Sequence, residues 1–389
     1  MSRPPLADAR EAVFTSGIRQ IGRQAWNGLA GVANPFTRYE FLEALESSRC
    51  VSASSGWQPA HLMITEAGKG SRPVAVMPLY AKDNSYGEYV FDFSWADAYR
   101  TGGLDYYPKF VTSVPFTPSV GERLFIGDSD SETITRLVAD QVERRAGLDC
   151  VSSWHVLFPV EGESLRLQQE GLARRKGCQF QWFNASYRDF DAFLAELNSR
   201  KRKNIRKERQ AVVDSGTRFE WLEGAEISEE HWRLFFTFYE NTYLVRGRYA
   251  YLSLDFFLRI GESMPENLKL LLTYDGHRCI AGALFFTGGQ TLYGRYWGSL
   301  EDYRFLHFET CYYQGIDYCI RHNLKRFDSG AQGEHKIQRG FRPVVTYSNH
   351  WIGHPEYARA IGDFLEREAR YIDQYTQEAA KLLPFKAAG

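Results

Sequence analysis

Apolar positions recur along this chain in two periods, one helical and one strand-like, and the order in which these periods follow one another occurs twice. In the first occurrence a helix is expected over Thr37–Ser47, where Thr37 and Glu40 stand at capping-box spacing. Strand-like runs follow at His61–Glu66, Pro73–Ala81 and Tyr86–Phe93. Ile134, Leu137, Val138 and Val142 then recur at helical spacing before Gly147, and a further strand is expected over Cys150–Phe158. In the second occurrence Ser253 opens the apolar run Phe256, Phe257, Leu258, and strands are predicted at Leu268–Tyr274, Cys279–Phe286 and Thr291–Gly298. Phe308, Cys311, Tyr312, Ile316, Cys319 and Ile320 then form one helical stripe that ends near Asn323, ahead of the strand Lys325–Asp328.

The echo reaches single residues: Leu62-Met63-Ile64-Thr65 answers Leu270-Leu271-Leu272-Thr273, and Gly87-Glu88-Tyr89 answers Gly294-Arg295-Tyr296. A duplicated α/β (α+β) unit is the economical explanation. Between the copies, Asp189–Val213 reads as one long helix capped by Asp189, with Phe190, Phe193, Leu194 and Leu197 on its apolar face. Ser228–Leu244 reads as another, carrying Trp232, Phe235, Phe236, Tyr239 and Tyr243. A tail helix, within residues 356–375 and centred on Tyr357–Ile372, is expected to pack back through Ile361, Phe364 and Leu365. At 389 residues the chain exceeds the usual size of one core. A boundary near residues 160–188 divides it into an N-terminal domain, 1–170, and a C-terminal domain, 171–389, the latter including the basic helix 189–213 and the tail helix.

Composition changes this picture in three places. No apolar run approaches the roughly 20 residues that span a bilayer, and Met1–Leu6 lacks the basic start and apolar stretch of a leader, so a cytoplasmic protein is expected, at most peripheral to the inner face of the membrane. Cys50, Cys150, Cys178, Cys279, Cys311 and Cys319 form no C-x-x-C pair and sit mostly among apolar neighbours, which fits reduced, packed thiols. The net charge of −1 favours no polyanion globally, yet Arg200–Arg209 carries seven positive residues and one negative. That run is either a solvated face or a hold on tRNA phosphates or anionic lipid through Arg202, Lys203 and Arg206. Without base-reading motifs it carries no sequence-specific DNA binding. No metal is expected: His350 and His354 have metal-like spacing, but Gly353 and Pro355 break the helix that would align them.

At Gly330-Ala331-Gln332-Gly333-Glu334-His335-Lys336, followed by Arg339-Gly340-Phe341-x-Pro343, the chain resembles a bacterial family labelled "peptidoglycan biosynthesis/recognition" within the GNAT superfamily. The likeness extends to Asn34-Pro35-Phe36, Gly56-Trp57-x-Pro59-x-His61-Leu62, Ser94-Trp95-Ala96-Asp97-Ala98-Tyr99, Tyr107-Pro108-Lys109-Phe110 and Val114-Pro115-Phe116-Thr117-Pro118 with Gly121 and Arg123. It also takes in Arg202-Lys203-Asn204-Ile205-Arg206 and Leu306-His307-Phe308-Glu309 with Tyr312-Tyr313. The resemblance implies tandem GNAT-like domains, each a mixed central sheet flanked by helices, and kinship with Fem-type transferases. Those use aminoacyl-tRNA where ordinary GNAT enzymes use acyl-CoA, so both are candidate co-substrates, and no tightly bound cofactor is implied.

Acyl transfer to an amine requires a neutral amine, a route for its proton and donors aimed at the developing oxyanion. Glu334, His335, Lys336 and Arg339 put a carboxylate, an imidazole and two cations within six residues, beside glycines and after a strand end, where open α/β sheets bind ligands. This is either a solvated polar loop or the active-site loop. His335 or Glu334 would be the base, and Lys336, Arg339 and Arg295 would hold anionic groups. His307 and Glu309, at the start of a helix, are the second catalytic candidates; Phe305-Leu306-His307 stands where GNAT enzymes carry an arginine- and glycine-rich loop. Arg295 and Tyr296 lie in the expected central strand, where a buried arginine needs an anion or a carboxylate partner. In the first half Trp95, Asp97, Tyr107, Lys109, Phe116 and Arg123 are candidate substrate contacts, Trp95, Asp97, Tyr107, Lys109 and Phe116 grouping with Tyr99 as aromatic faces around one acid and one base; a packed domain interface would look similar. Two functions remain open: an N-acyltransferase whose acceptor is a small-molecule or lipid amine, and a non-catalytic module that recognises an envelope fragment.

Overall fold

The computed structural model describes residues 10–66, 72–331 and 333–386, so Met1–Leu6 and Gln332 of the glycine-rich loop lie outside the described residues. The strands are β1 (Arg10–Thr15), β2 (Trp57–Pro59), β3 (His61–Glu66), β4 (Pro73–Met77), β5 (Tyr80–Lys82), β6 (Lys109–Thr112), β7 (Phe125–Ile126), β8 (Ser153–Leu157), β9 (Ala173–Phe183), β10 (Thr217–Glu223), β11 (Leu268–Asp275), β12 (Arg278–Gly288), β13 (Thr291–Ser299), β14 (Arg326–Asp328) and β15 (Arg342–Ile352). They fall into two compact units. One comprises the chain up to Gly177 together with Thr346–Ile372, the other Cys178–Val345 together with the chain from Asp373 onward. A single cut between 1–170 and 171–389 therefore does not describe the molecule, because most of the tail helix, Pro355–Lys381, groups with the first unit.

Within the second unit β10, β11, β12 and β13 form a consecutive antiparallel meander. A helical segment follows, then β14 runs parallel to β13, and β9 closes the sheet antiparallel to β14. The first unit repeats this order. Its β1 pairs antiparallel with β3 and β3 with β4; β5 follows β4 directly and pairs antiparallel with β6. The helix Ser131–Leu148 leads to β8, parallel to β6, and β15 closes antiparallel to β8. Two helices separate the first pair of strands in each unit: Arg23–Ala30 and Tyr39–Ser47 in one, Glu229–Leu244 and Leu254–Ser263 in the other. Each unit is thus a mixed sheet flanked by helices in GNAT order.

Three local expectations are corrected. Tyr86–Phe93 is not the third meander strand; β6 is. Gly87 (φ 80°) and Tyr89 (φ 60°) turn the backbone left-handed there, which no strand tolerates, and the excursion ends in the helix Phe93–Thr101. Thr37 does not cap its helix: Arg38 is the N-cap, and Glu40 is buried, accepting from Arg23 Nε (2.7 Å) and Asn27 Nδ2 (3.1 Å). The long helix 189–213 is two helices, Phe190–Glu196 and Ser199–Asp214. Leu197 is extended and fully buried, and Asn198 starts a new cap by accepting from the Lys201 amide at 3.0 Å. Asp189 caps as expected, on the Ala192 amide at 2.7 Å.

The core of the second unit packs Trp182, Phe193, Leu271, Phe285, Leu292, Ile316 and Phe327 together; that of the first packs Leu62, Ile64, Ala75, Val138, Val142 and Trp154. Glu229–Leu244 lies so close on β13 that a Cβ at Gly298 would fall 1.9 Å from the Phe238 carbonyl oxygen. Backbone cannot yield there as a flexible side chain would. Gly298→Ala is expected to cost roughly 2–3 kcal/mol of stability, read as a fall in the urea midpoint at unchanged slope.

Candidate active site

The parallel pairing of β13 with β14 runs through Thr291↔Arg326, Leu292↔Phe327 and Tyr293↔Asp328 and stops there. On the other side the register with β12 shifts between Leu284 and Phe285, leaving Arg295 opposite no residue. A bulge of this kind re-aims side chains, often at an active site. A cavity of about 120 Å³ opens at this divergence, walled by Phe285, Gly294, Arg295, Tyr296, Trp297, His307, Cys311, Tyr312 and Ser329. The helical stripe beside it is not uniform: Glu309–Tyr313 is a π-turn between the α-helical pieces Leu306–Phe308 and Gln314–Arg321. Such turns hold one extra residue and mark functional positions in many helices; here Cys311 and Tyr312 come from it.

The Tyr312 hydroxyl stands between two imidazoles, 3.0 Å from His335 Nε2 and 3.4 Å from His307 Nε2. Burial, with the nearby His335, Arg339 and Lys336, lowers the His307 pKa to about 4. His335 is exposed at the far end, and its pKa is lowered by partial burial and by Arg339 and Lys336. Both rings are thus neutral at pH 7. Burial pushes the Tyr312 phenol and the Cys311 thiol far up, so both keep their protons.

The neighbouring cations build the wall and are not free to meet a substrate. Arg295 grips Asp328 through two bonds of 3.1 Å, with both side chains buried, so its partner is a carboxylate of the protein. Lys336 is buried and donates to the Ser329 and Gly330 carbonyls (3.0 and 2.9 Å), and burial brings its pKa down to about 8. Arg339 donates to the His335 carbonyl and to Glu208, both at 2.9 Å, and lies 3.6 Å over the Phe308 ring. These bonds fix the 3-10 turn Glu334–Arg339, and with it the His335 ring.

The two acids stand outside the cavity lining. Glu334 is exposed and accepts from the Tyr375 hydroxyl at 2.7 Å. Glu309 is buried and bonded by Arg209 (2.9 Å) and Gln314 (2.9 Å), tying the basic helix to the π-turn. On that helix Arg206 pairs with Asp191 at 2.7 Å, whereas Arg202 and Lys203 have no acid partner among the described residues. Of the residues singled out from sequence, His307, Arg295 and Tyr296 line the cavity, and His335 is joined to it through the Tyr312 hydroxyl. Tyr312, which joins the imidazoles, was visible only as part of an apolar stripe and of a family motif.

In the first unit the candidate contacts separate. Asp97 is exposed and pairs with Arg100. Arg123 is fully buried, spends its guanidinium on the carbonyls of Leu157, Gly121 and Glu122, and braces a loop whose amides meet Glu163. Phe116 packs on Trp57 at 5.5 Å, and Trp95 on His350 at 4.9 Å. Tyr107 bonds Ser85 at 2.8 Å. Lys109 is fully buried, donating to Ser85 (2.9 Å), Glu88 (2.8 Å) and Asp92. Around it Tyr106 donates to Asp92 at 2.6 Å, His155 and His350 face each other through Nδ1 atoms 2.6 Å apart, and Lys82 lies over Trp57 at 3.9 Å. These are interior bonds; of the cluster, sequence reasoning grouped Lys109 and Tyr107 as substrate contacts and missed the acids Glu88 and Asp92 that hold Lys109.

The class that this fold and site define is a two-unit protein of GNAT-like fold with an imidazole–phenol–imidazole row at the divergence of β13 and β14. Residues 17–387 match the FemAB-like family, described as peptidoglycan biosynthesis/recognition, and the chain belongs to that family. No curated protein sequence matches it. Its fold is similar to that of the C-terminal (DUF2156) domain of an Agrobacterium fabrum protein named for lysylphosphatidylglycerol synthetase, with TM-score 0.53 and 9% identity over 89% of this chain and 96% of that one. FemX is similar at TM-score 0.51 and 11% identity, over 90% and 100%. At these identities the likeness is one of fold. Among the described residues no helix is long and apolar enough to cross a membrane.

Proposed function

We propose that the chain is an N-acyltransferase that moves an acyl or aminoacyl group from an activated donor to an amine of a cell-envelope precursor or a long-chain lipid base. Acyl-CoA, acyl carrier protein and aminoacyl-tRNA are the donors to be tried. The observation that carries the reading is the Tyr312 hydroxyl between His307 and His335 beside a strand divergence. The amine nitrogen attacks the donor carbonyl, an N–C bond forms, and the thiol or ribose hydroxyl leaves with the donor's electron pair and takes up a proton. His307, in the cavity wall, accepts the amine proton, and Tyr312 relays it to His335 at the surface. The order of basicity suits this direction, since burial weighs more heavily on His307 than on exposed His335. Cys311 keeps its proton, which argues for direct attack rather than an acyl-cysteine.

The reading is tested by incubating the purified chain with each donor and a panel of amines and following N-acyl products by mass spectrometry. Absence of product from all three donor classes would remove it. If the donor is a tRNA, Arg202 and Lys203 on the basic helix are its expected phosphate contacts. Changing Arg202, Lys203 and Arg206 to glutamine then weakens tRNA binding and flattens its salt dependence by about one unit of slope per lost contact. Filter binding across a salt series reads both.

A further inference from the structure

The turn joining the helices Glu229–Leu244 and Leu254–Ser263 of the second unit has a surface that acyl transfer does not use. Leu244, Val245 and Tyr249 are 51%, 71% and 90% exposed, and Arg246 and Arg248 stand among them with no acid in the segment. One exposed apolar side chain is ordinary; three in six residues, interleaved with two arginines, form a patch with both an apolar and a cationic component. Four consecutive amides of the turn are already paired. The amide of Val245 bonds the Asn241 carbonyl (3.1 Å), those of Arg246 and Arg248 the Tyr243 carbonyl (2.9 and 3.1 Å), and that of Gly247 the Leu244 carbonyl (2.9 Å). Gly247, at φ 64°, makes the turn possible. Paired amides lower the cost of bringing the turn into a headgroup layer, where its carbonyls keep water. Tyr243 holds the mount, its ring 5.2 Å from Tyr239 and 5.7 Å from Tyr251.

The turn also lies at the rim of the candidate active site. Just before it, Thr242 Oγ1 donates to the Trp297 carbonyl at 2.9 Å and Asn241 Nδ2 to that of Ser299 at 2.8 Å, and Trp297 walls the cavity 5.5 Å from the His307 ring. We infer that Leu244–Tyr249 is an interfacial anchor that docks the second unit on an anionic lipid surface. Leu244, Val245 and Tyr249 enter the headgroup–acyl boundary while Arg246 and Arg248 meet lipid phosphates. The inference rests on the acyl-transfer reading only for its use, which is to admit a lipid amine beside Trp297.

The test is flotation of the full chain at low salt with vesicles of phosphatidylglycerol and phosphatidylethanolamine, beside vesicles of phosphatidylcholine alone. The protein is expected to float with the anionic vesicles. The double variant Val245→Ser, Tyr249→Ser lowers its partition coefficient by about tenfold or more, and Arg248→Gln lowers it by about fivefold. Arg202→Gln with Lys203→Gln, on the basic helix, changes it by less than about threefold. A wild-type chain that does not float, a double variant that floats as the wild type does, or an equal loss from the basic-helix variant overturns the anchor. All substitutions are at the surface, and thermal unfolding checks that the fold is kept. Transfer to a short-chain, water-soluble amine stays at the wild-type rate in the turn variants, which separates failure of docking from failure of the acyltransferase reading.

Discussion

Replacing His307 by alanine lowers kcat for acyl transfer by about a hundredfold or more, the loss expected when a general base is removed from a cavity wall. Tyr312→Phe breaks the same route, keeps the ring, and costs about tenfold to a hundredfold. His335→Ala falls in that range, because exposed solvent takes over the outer end of the relay. Glu334→Gln stays within about threefold, since that carboxylate faces Tyr375 and not the cavity. The pH profile carries the sign. Both imidazoles have lowered pKa values, so they are neutral at pH 7, and once kcat/KM is referred to the neutral form of the amine it is flat there and falls only as pH drops below about 6.5. Full activity in the His307 and Tyr312 variants would place the chemistry elsewhere.

Lys109→Met destabilises the first unit by about 3–5 kcal/mol, because it leaves Glu88 and Asp92 buried around an uncharged side chain. The four charges of this interior are balanced, two lysines against two acids, and each departs from its ordinary pKa. Burial lifts Glu88 to about 7 and lowers Lys82 to about 7; burial also opposes charge on Asp92, but Lys109 and His155 hold it down at about 2. Adding Glu88→Gln and Asp92→Asn to Lys109→Met should restore part of the loss, since no buried carboxylate is then left without its cation and Lys82, already lowered to about 7, is the one lysine remaining. Acid adds a second signature. His155, at about 3, and His350, well below its ordinary range, are neutral in the folded chain, mainly through burial. The unfolded chain binds protons at these rings first, so their contribution to stability is lost as pH drops through about 6.5 and below. Glu88 and Glu163, raised to about 7 in the folded chain, act with the opposite sign, so the rings' share is read as the change in the urea-midpoint difference between pH 7.5 and pH 5.5 when His155 and His350 are replaced.

The duplicated fold was legible because each meander has its own strand period and turn residues, and Asp189 carried its cap on its face. The first unit's third strand was misplaced because Gly87-Glu88-Tyr89 imitates Gly294-Arg295-Tyr296 in letters alone. Two left-handed residues there bend the chain inward, and Glu88 and Asp92 serve Lys109 across the excursion. The break at Leu197 was hidden because a buried leucine continues the helical stripe, although Asn198 followed by Ser199 is a cap signal. At the site, the polar loop 334–339 and His307 were visible as chemistry in sequence, but their roles were not. Which cation is occupied by a carboxylate, a carbonyl or a ring depends on Asp328, Ser329 and Phe308, which no spacing rule connects to them.

The strand that closes each sheet has a consequence for how the chain is made. The first unit's β8 pairs with Ser348–Ile352, which the ribosome reaches only after the whole meander of the second unit. At about 5–20 residues per second, β8 waits about ten to forty seconds for its neighbour. During that interval its backbone is an open edge in a nearly finished sheet, the kind of surface that recruits foreign strands. Synthesis halted anywhere before Thr346 leaves that edge open, so the first unit completes itself only when almost the entire chain has emerged.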